Sequence, residues 1–425
     1  MGTTRRPLAA ILSDALERLN LGAILWIAGL LRVASIVVLR TYRHPQTWEF
    51  GFLADNLLKG FGYSITRDVP GGVIHLPSAV MPPAYPFVLA GFLRVLGDHP
   101  STYLTIEFVN AALGVLLVYL VYRTARGLLS ENAARLAALI CAVYPAQVYM
   151  CNEFHSISFY IVLGVAVIFF LNRSLTRSNY GPDVLRAGLC MGLLLLFRAE
   201  ALALVLVYAV CLLVRKGRQG FGRAAVFAAV SVLMMSPWVI RNAVVFRTFI
   251  PTMSTPGFVL WFGHNPAATG SQHYDWYGSI QPDLRADLNH VALNRYFEVE
   301  IDKVYKRYAL AYIRTHPRRE VELALRKLRL FFWFDPAHNK GDRPLYWIPS
   351  VLMTCVAAYG AFLRGRRVWR EDLLLTATIS YAVLVAMALL VLPRYKMVVD
   401  PFFMIFAASV LDRARYRDGV HQVLP

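Results

Sequence analysis

The hydrophobic pattern of the chain consists of long apolar runs separated by short polar connections. Several of these runs approach the roughly 20 apolar residues that a membrane-spanning helix needs. The period-two alternation of a transmembrane β-barrel is absent, so we expect an all-α polytopic membrane protein with about ten transmembrane helices. The predicted spans are Leu21–Leu39, Thr102–Tyr122, Leu136–Met150, Ser156–Leu171, Val184–Phe197, Ala201–Val214, Ala224–Ile240, Trp347–Leu363, Leu373–Leu392 and Val398–Leu411.

Basic residues are concentrated in every second connection between these runs. Loops rich in arginine and lysine face the cytoplasm, so the pattern predicts that both termini are cytoplasmic. It requires that Pro83–Gly97, an apolar segment carrying Arg94, lie in the membrane interface instead of crossing. The basic residues are Arg5, Arg6, Arg18, Arg123, Arg126, Arg135, Arg173, Arg177, Arg186, Arg215, Lys216, Arg218, Arg223, Arg364, Arg366, Arg367, Arg370, Arg413, Arg415 and Arg417.

Three polar regions are then predicted on the outer side. Residues 41–101 form the first external loop with two interfacial helices, and residues 151–155 form a short corner. Residues 244–346 form an external, periplasmic subdomain, in which Thr315-His316-Pro317 separates two helices. The domain prediction is therefore a transmembrane region of residues 1–243, this subdomain, and C-terminal transmembrane helices with a cytoplasmic tail over residues 347–425.

Composition agrees with a membrane protein and excludes other classes. The chain of 425 residues is 57% hydrophobic and only 16% charged, against about 25% charged in soluble proteins. Its net charge of +18 would suggest nucleic-acid binding in a soluble protein, but the arginines lie in loops where they set orientation, so nucleic acid is not an expected partner. The five cysteines form no CxxC pair and no ligand cluster has metal-site spacing, so we expect no metal and no other cofactor.

The first external loop begins with a carboxylate between two aromatic residues, Trp48-Glu49-Phe50. The stretch up to Leu58 has the pattern of a short amphipathic helix on a membrane. A carboxylate that is half-desolvated at such a boundary suits a general base near neutral pH. Alternatively, Glu49 is an acid favoured by the dipole at the start of a helix. Asp55 lies on a different face of the helix and is interpreted as a solvated polar residue.

The other candidate groups lie at the outer ends of the predicted spans. Glu153 and His155 form either a second catalytic or binding pair or a simple polar turn. Arg198, in Arg198-Ala199-Glu200, either binds an anionic headgroup or pairs with an acid. Arg241 is either an interface anchor or an anion ligand.

Arg394 and Lys396 begin the last span on the outer side and so break the positive-inside pattern. They either bracket a phosphate or extend towards the interface as snorkelling side chains. His75 and His264 are single loop histidines, which usually face solvent. The aromatic residues of the subdomain either stack on a sugar ring or form a hydrophobic core; they are Trp261, Tyr274, Trp276 and Tyr277.

Together these segments resemble the GT-C superfamily of membrane glycosyltransferases over about residues 20–412. More narrowly, the chain is similar to the bacterial family 39 type, which is related to protein O-mannosyltransferases and the lipid A aminoarabinose transferase. The resemblance rests on the order and spacing of the segments more than on any one strict motif. They are Trp48-Glu49-Phe50, Ala54–Tyr63, Pro82-Pro83-Ala84-Tyr85-Pro86, Tyr144-Pro145-Ala146, Phe197-Arg198-Ala199-Glu200, Pro237–Asn242, Gly263–Gly270 and Arg394-Tyr395.

The resemblance implies transfer of a sugar from a polyprenyl-phosphate-linked donor on the outer face of the membrane. Glu49 would activate or orient the acceptor, because Gln46 and Thr47 stand where many relatives carry an aspartate. Relatives also often carry an acid at the start of the fourth span, near Ile157, so Glu153 or His155 would replace it. The implied donor-phosphate ligands are Arg394, Lys396, Arg198 and Arg241, and the site-lining residues are Asp55, His75, His155, Glu200, His264 and Asn265.

The expected partners are a lipid-linked sugar donor, membrane lipids, and a glycan, lipid or protein acceptor. The expected location is the bacterial inner membrane, with the active face periplasmic. A non-enzymatic transporter or flippase of a lipid-linked saccharide is the alternative, but transporters show broken helices, an internal repeat and polar groups near the midplane. The polar groups of this chain cluster at the outer ends of its spans. A third hypothesis is a scaffold whose external subdomain binds a partner.

Overall fold

A computed structural model describes residues 16–271, 275, 277–333 and 343–412 of the chain. Several residues used in the sequence interpretation lie outside these ranges. They are Arg5, Arg6, Tyr274, Trp276, Arg413, Arg415 and Arg417.

The described residues are mainly helical. One antiparallel hairpin, formed by β1 (Ser64–Val69) and β2 (Gly72–Pro77), lies between the second and third helices. In chain order the helices are α1 (Leu21–Leu39), α2 (Trp48–Leu58), α3 (Ala84–Leu96), α4 (Pro100–Arg126), α5 (Glu131–Val143), α6 (Pro145–Tyr149), α7 (Ile157–Thr176), α8 (Gly181–Phe197), α9 (Leu202–Lys216), α10 (Arg218–Phe246), α11 (Pro256–Gly263), α12 (Pro282–Asn289), α13 (Phe297–Thr315), α14 (Pro317–Phe332), α15 (Pro344–Arg364), α16 (Arg367–Arg370), α17 (Leu373–Ala388), α18 (Pro393–Met397) and α19 (Asp400–Ala408).

Each predicted span falls on a helix, which confirms the all-α polytopic fold. Within the described residues, five helices are long and apolar enough to cross a membrane: α1, α4, α7, α10 and α15. The segments Glu131–Val143 and Pro145–Asn152 would form a sixth span with a bend of 55°. The remaining predicted spans fall on α8, α9, α17 and α19, which have 17, 15, 16 and 9 residues. The count of ten therefore stays a prediction.

The bend between α5 and α6 occurs at Pro145. A proline has no N–H to continue the helical hydrogen bonds, and it forces the residue before it out of the helical region. Tyr144 accordingly has an extended backbone, with ψ 119°. The carbonyl oxygen of Ala142 instead accepts from the Nη1 of Arg32 on α1, at 3.3 Å.

The basic connections meet one another at the same end of the helices. The backbone nitrogen of Ser130 donates to Asp412 at 3.3 Å, and Arg135 donates to the carbonyl oxygen of Leu16 at 3.1 Å. Arg223 reaches the carbonyl oxygen of Ser174 at 3.3 Å. These contacts join connections that the charge pattern assigns to one side, while their cytoplasmic location remains a prediction.

The main core is built from small residues on closely packed helices. The buried face of α5 includes Ala133, Ala134, Ala137 and Ala138, all with no exposed surface. Gly192 on α8 is so close to α10 that an added Cβ would lie 2.4 Å from the Cβ of Met234. Small residues allow this approach, as is usual between membrane helices.

The first external loop contains the two predicted helices, α2 and α3. They pack through Phe50, Tyr85 and Leu89, and the Phe50 and Tyr85 rings meet edge-on with centroids 5.0 Å apart. At 13 residues, or about 20 Å, α3 is too short to cross the membrane. Its place in the interface stays a prediction.

The hairpin in this loop is a structure that the sequence interpretation missed. Val69 pairs with Gly72 across the turn Pro70-Gly71, and Gly71 has φ 96°. A two-residue turn of this composition between β-branched residues is a hairpin signal.

The region between residues 244 and 346 contains α11–α14 and has a small core of its own. This core is formed by Trp261, Leu284, Tyr305 and Ala309, so Trp261 is a core residue. Tyr277, by contrast, is 66% exposed. The predicted helix break is confirmed, since α13 ends at Thr315 and α14 begins at Pro317. The domain boundaries themselves stay predictions.

Candidate functional site

Arg394 has a partly buried side chain in the short helix α18. Its Nε has no hydrogen-bond partner among the described residues. Buried polar atoms nearly always have partners, so this atom is a candidate ligand for an anion. The charged groups that act on Arg394 include Arg198, Glu200 and Glu49, which come from two other segments of the chain.

Arg198 lies at the end of α8, where the chain leaves the helix, and it pairs with Glu200. Its Nε donates to Oε1 of Glu200 at 2.7 Å, and its Nη2 contacts the same oxygen. The Tyr381 hydroxyl of α17 donates to the main-chain oxygen of Glu200. Of the two sequence alternatives, pairing with an acid is therefore the one observed, and Glu200 is the partner.

His155 lies between these arginines and the first external loop. It is buried, and its ring meets that of Phe50 edge-on with centroids 4.9 Å apart. Burial, then the positive charges of Arg198 and Arg394, hold the pKa of His155 well below its usual value. The imidazole is therefore neutral at pH 7, and the positive charge of the site is carried by the two arginines.

Glu49 lies in the first turn of α2 and is exposed. The helix turns Phe50 inwards and leaves Trp48 58% exposed, so the protein itself does not bury the Glu49 carboxylate, and its desolvation at a membrane boundary stays a prediction. Glu49 nevertheless acts electrostatically on Arg394. The Glu49 carboxylate is thus accessible to an acceptor, and it also belongs to the set of charged residues around Arg394.

The outer corner separates its two candidate residues. Glu153 is half-buried and acts electrostatically on Tyr85, while its main-chain oxygen accepts from Asn110 at 3.1 Å. It is His155 that lies beside Arg198 and Arg394. Of the two possible replacements for the acid of the relatives, the structure brings His155 to the arginines.

Lys396 does not bracket a phosphate with Arg394, and this expectation is wrong. Its ammonium group is buried and donates to Ser350 and Thr354 of α15, including the Ser350 carbonyl oxygen at 2.9 Å and the Thr354 hydroxyl at 2.8 Å. Residues two positions apart on a helix point in nearly opposite directions. Three acceptors occupy the three donors of the ammonium group, so Lys396 is a structural cation.

Arg241 ties the outer end of α10 to the first external loop. Its Nη1 donates to the carbonyl oxygen of Ser78 at 2.6 Å, and its Nη2 donates to that of Tyr63 at 3.0 Å. The guanidinium group also lies over the Trp238 ring, 5.0 Å from the centroid. These contacts favour the anchor over the anion ligand, and what Arg241 holds is a loop of the protein itself.

Two other predicted lining residues are engaged locally. Asp55 is exposed and pairs with Lys59 one helical turn away, at 2.6 Å, as expected of a solvated position. His75 is half-buried on β2 and stacks on Phe61 with ring centroids 3.6 Å apart. Neither contact belongs to the charged group around Arg394.

His264 and Asn265 are both buried, so the solvent-facing position expected for His264 is wrong. Asn265 donates to the carbonyl oxygen of Trp261 at 2.9 Å, at the end of α11. His264 contacts Glu320 through Nδ1, and its Nε2 lies 2.8 Å from the carbonyl oxygen of Ala388. His264 therefore contacts the end of α17, a few residues before Arg394.

The sequence interpretation missed three fully buried charged residues inside predicted spans. Arg32 and Glu107 have no exposed surface, and Asp400 is 2% exposed. The Thr41 hydroxyl donates to Glu107, which ties α4 to the start of the first external loop. Ionisable residues within spans are rare and usually functional, and that rule, applied to each run, would have identified all three.

Comparisons with known proteins place this architecture in a fold family. A family model described as dolichyl-phosphate-mannose-protein mannosyltransferase matches residues 80–241. The solved oligosaccharyltransferase of Archaeoglobus fulgidus in the apo form superposes with a TM-score of 0.56 and 14% identity, over 95% of this chain and 52% of that chain. The chain has the GT-C fold. The fold that the resemblance predicted is thereby confirmed.

The same oligosaccharyltransferase in complex with an inhibitory peptide and a dolichol-phosphate gives a TM-score of 0.54 at 15% identity, over 95% of this chain and 52% of that chain. The chain therefore spans about half the length of the archaeal enzyme. ArnT from Cupriavidus metallidurans bound to undecaprenyl phosphate gives a TM-score of 0.43 at 14% identity, over 93% of this chain and 78% of that chain. No curated protein sequence matches the chain.

Proposed function

We propose that the chain is an integral membrane glycosyltransferase. It moves a sugar from a polyprenyl-phosphate-linked donor to an acceptor on the outer face of the membrane. The observation that carries the proposal is the unpartnered Nε of Arg394, beside Arg198 and within electrostatic reach of the exposed Glu49. The family model for dolichyl-phosphate-mannose-dependent transferases and the dolichol-phosphate complex of the archaeal enzyme support it.

Arg394 is the proposed ligand of the donor phosphate. Hydrogen bonds between a guanidinium group and a phosphate are charge-assisted and often bidentate. In the reaction the polyprenyl phosphate leaves as an anion, so a cation fixed at that position stabilises the transition state. Arg198 adds positive potential, although its pairing with Glu200 reduces that contribution. Because guanidinium groups supply the charge, the proposal requires no divalent metal.

Glu49 is the proposed general base. As the acceptor oxygen or nitrogen attacks the anomeric carbon, its proton passes to the Glu49 carboxylate. The bond from the anomeric carbon to the phosphate oxygen breaks, and its electron pair leaves with the polyprenyl phosphate. An exposed carboxylate can meet an acceptor that arrives from outside the protein, whether the acceptor is a glycan, a lipid or a protein.

His155 is proposed to shape the site without carrying charge. The neutral ring packs against Phe50, the residue next to Glu49, and lies beside both arginines. The ring therefore holds α2 in place relative to the two segments that carry Arg198 and Arg394. A protonated imidazole at this place would compete with the arginines for the phosphate.

The proposed location is the bacterial inner membrane, with both termini cytoplasmic and the site periplasmic. The gathering of the arginine-rich connections at one end of the helices supports this orientation, since such loops stay in the cytoplasm.

The test is sugar transfer by the purified full chain in lipid nanodiscs. The protein is mixed with a panel of radiolabelled undecaprenyl-phosphate sugars and a membrane extract as acceptor. Transfer of label from one or more donors supports the proposal. Binding of the lipids without transfer from any donor would favour the transporter and contradict the enzyme.

A further inference from the structure

One segment of the external region lies against the chain just before Arg394. In this segment, residues 263–271, the backbone of Gly263 is so close to Leu389 that an added Cβ would lie 1.9 Å from the Leu389 carbonyl oxygen. The backbone nitrogen of Val391 donates to the carbonyl oxygen of Gly270 at 3.0 Å. Both ends of the segment, at Gly263 and at Gly270, therefore contact residues 388–391.

His264 supplies the side-chain contact of the same segment. A carboxylate oxygen of Glu320 lies at its Nδ1, and the carbonyl oxygen of Ala388 lies 2.8 Å from its Nε2. The carbonyl oxygen of Ala388 can only accept, so Nε2 is the donor in that contact. The imidazole therefore bridges α14 and the end of α17.

A buried lysine lies beside the same ring nitrogen. Lys327 has no exposed surface, and its Nζ lies 3.2 Å from the Nε2 of His264. Gly270 packs on the stem of Lys327 and has φ 87°, a conformation that other residues rarely adopt. A buried charged group is costly unless it is compensated, so this cluster holds a specific geometry at the expense of stability.

The position of Arg394 depends on the chain that precedes it. Leu392 is extended, with φ −128° and ψ 146°, and Pro393 starts α18. The Nε of Arg394 has no partner among the described residues, and its side-chain hydrogen bond with Tyr395 joins two neighbours on the same helix, α18. The backbone of residues 388–392 must therefore supply much of its placement.

We infer that residues 263–271 form a clamp on residues 388–391, with His264 as the positioning residue that orients Arg394 for the donor phosphate. The inference rests on the proposed function of Arg394. His264 itself touches neither arginine of the site. It acts through its bond to the carbonyl oxygen of Ala388.

The test compares two amide substitutions of one residue. In His264→Gln the side-chain amide reaches the position of Nε2 and keeps the bond to Ala388. In His264→Asn the amide reaches only the position of Nδ1 and keeps the contact with Glu320. Gly263→Ala displaces the clamp directly, and Gly91→Ala is the control, because an added Cβ there meets nothing within 4 Å.

Two readouts are measured on the full chain in nanodiscs: hydrogen–deuterium exchange at the Val391 amide, and the affinity for undecaprenyl phosphate. Loss of a net hydrogen bond changes an equilibrium by roughly tenfold. We expect His264→Asn and Gly263→Ala to speed exchange and weaken binding by about this factor. His264→Gln and Gly91→Ala should remain within about threefold of the wild type.

The outcomes separate this inference from the proposed function. Equal effects of His264→Asn and His264→Gln, or faster exchange with unchanged affinity, would overturn the positioning role. Failure of the wild type to bind undecaprenyl phosphate would overturn the proposed function, and with it the claim that the clamp orients Arg394 for a phosphate. Exchange at Val391 would still decide whether the clamp exists.

Discussion

Arg198 and Arg394 both act on the buried ring of His155, but they differ in their partners. Arg198 makes two contacts with one carboxylate oxygen of Glu200, whereas the Nε of Arg394 has no partner among the described residues. A guanidinium group that is already paired has less to offer an anion. We therefore propose Arg394 as the phosphate ligand and a supporting role for Arg198.

Replacing Arg394 should weaken the binding of undecaprenyl phosphate. Hydrogen bonds to charged groups contribute about 1.5–3 kcal/mol, so Arg394→Ala should lose roughly 10- to 100-fold in affinity. Arg394→Lys should recover only part of it, because an ammonium group cannot form the planar fork. Titration with fluorescent undecaprenyl phosphate measures this, and Arg94→Ala, an exposed arginine on α3, is the control. Equal loss in the control would refute the assignment.

Replacing Arg198 should have a different signature. Arg198→Ala leaves the Glu200 carboxylate without its partner in a partly buried place, which is costly. We expect a lower thermal midpoint and a smaller loss of lipid affinity than in Arg394→Ala. Thermal unfolding in detergent gives the midpoint, and lipid titration on the same preparations gives the affinity. A larger affinity loss than for Arg394→Ala, with an unchanged midpoint, would reverse the two roles.

Glu49→Gln should abolish turnover and leave lipid binding intact. A positioned general base contributes about 10²- to 10⁴-fold in rate, and glutamine removes the proton acceptor while keeping the shape. The matched control is Asp55→Asn on the same helix, since Asp55 is exposed and paired with Lys59. Single-turnover rates at saturating donor measure the effect. A rate loss shared by Asp55→Asn would indicate damage to α2 instead.

Lys327→Met should stabilise the protein at neutral pH. Burial lowers the pKa of Lys327 from 10.5 to about 8, so the unfolded chain binds the proton more tightly. Keeping Lys327 protonated in the folded state therefore lowers the free energy of unfolding by at most about 3 kcal/mol. This cost is complete below pH 8 and disappears as the pH rises to 10.5. The difference in thermal midpoint between variant and wild type should thus be largest at pH 7. A variant less stable than the wild type at pH 7 would contradict this account.

The helices were predictable because apolar runs determine where membrane helices form. Arg394 could also be singled out as a candidate, since a cation at the predicted outer end of a span breaks the positive-inside rule. The direction of Lys396 was not anticipated, although helical geometry turns residues two positions apart to opposite sides. Arg32 and Glu107 were overlooked inside their apolar runs, where hydropathy averages conceal single charges.

The cluster around His264 was out of reach for a different reason. Its partners Glu320 and Lys327 lie 56 and 63 positions further along the chain, and Ala388 lies 124 positions away. No local pattern reports contacts at such separations. The motif around His264 was visible as part of the resemblance, but its contacts with residues 388–391 emerge only from the tertiary structure.

The most direct test of the central claim is one transfer experiment with the wild type and Glu49→Gln side by side. Both proteins are loaded with the same radiolabelled undecaprenyl-phosphate sugar and given a membrane extract as acceptor. The account predicts that both retain the lipid, that the wild type moves the label to the acceptor, and that Glu49→Gln moves less than about 1% as much. Equal transfer by the two proteins would contradict the assignment of Glu49 as the base, and lipid retention without transfer by the wild type would contradict the enzyme itself.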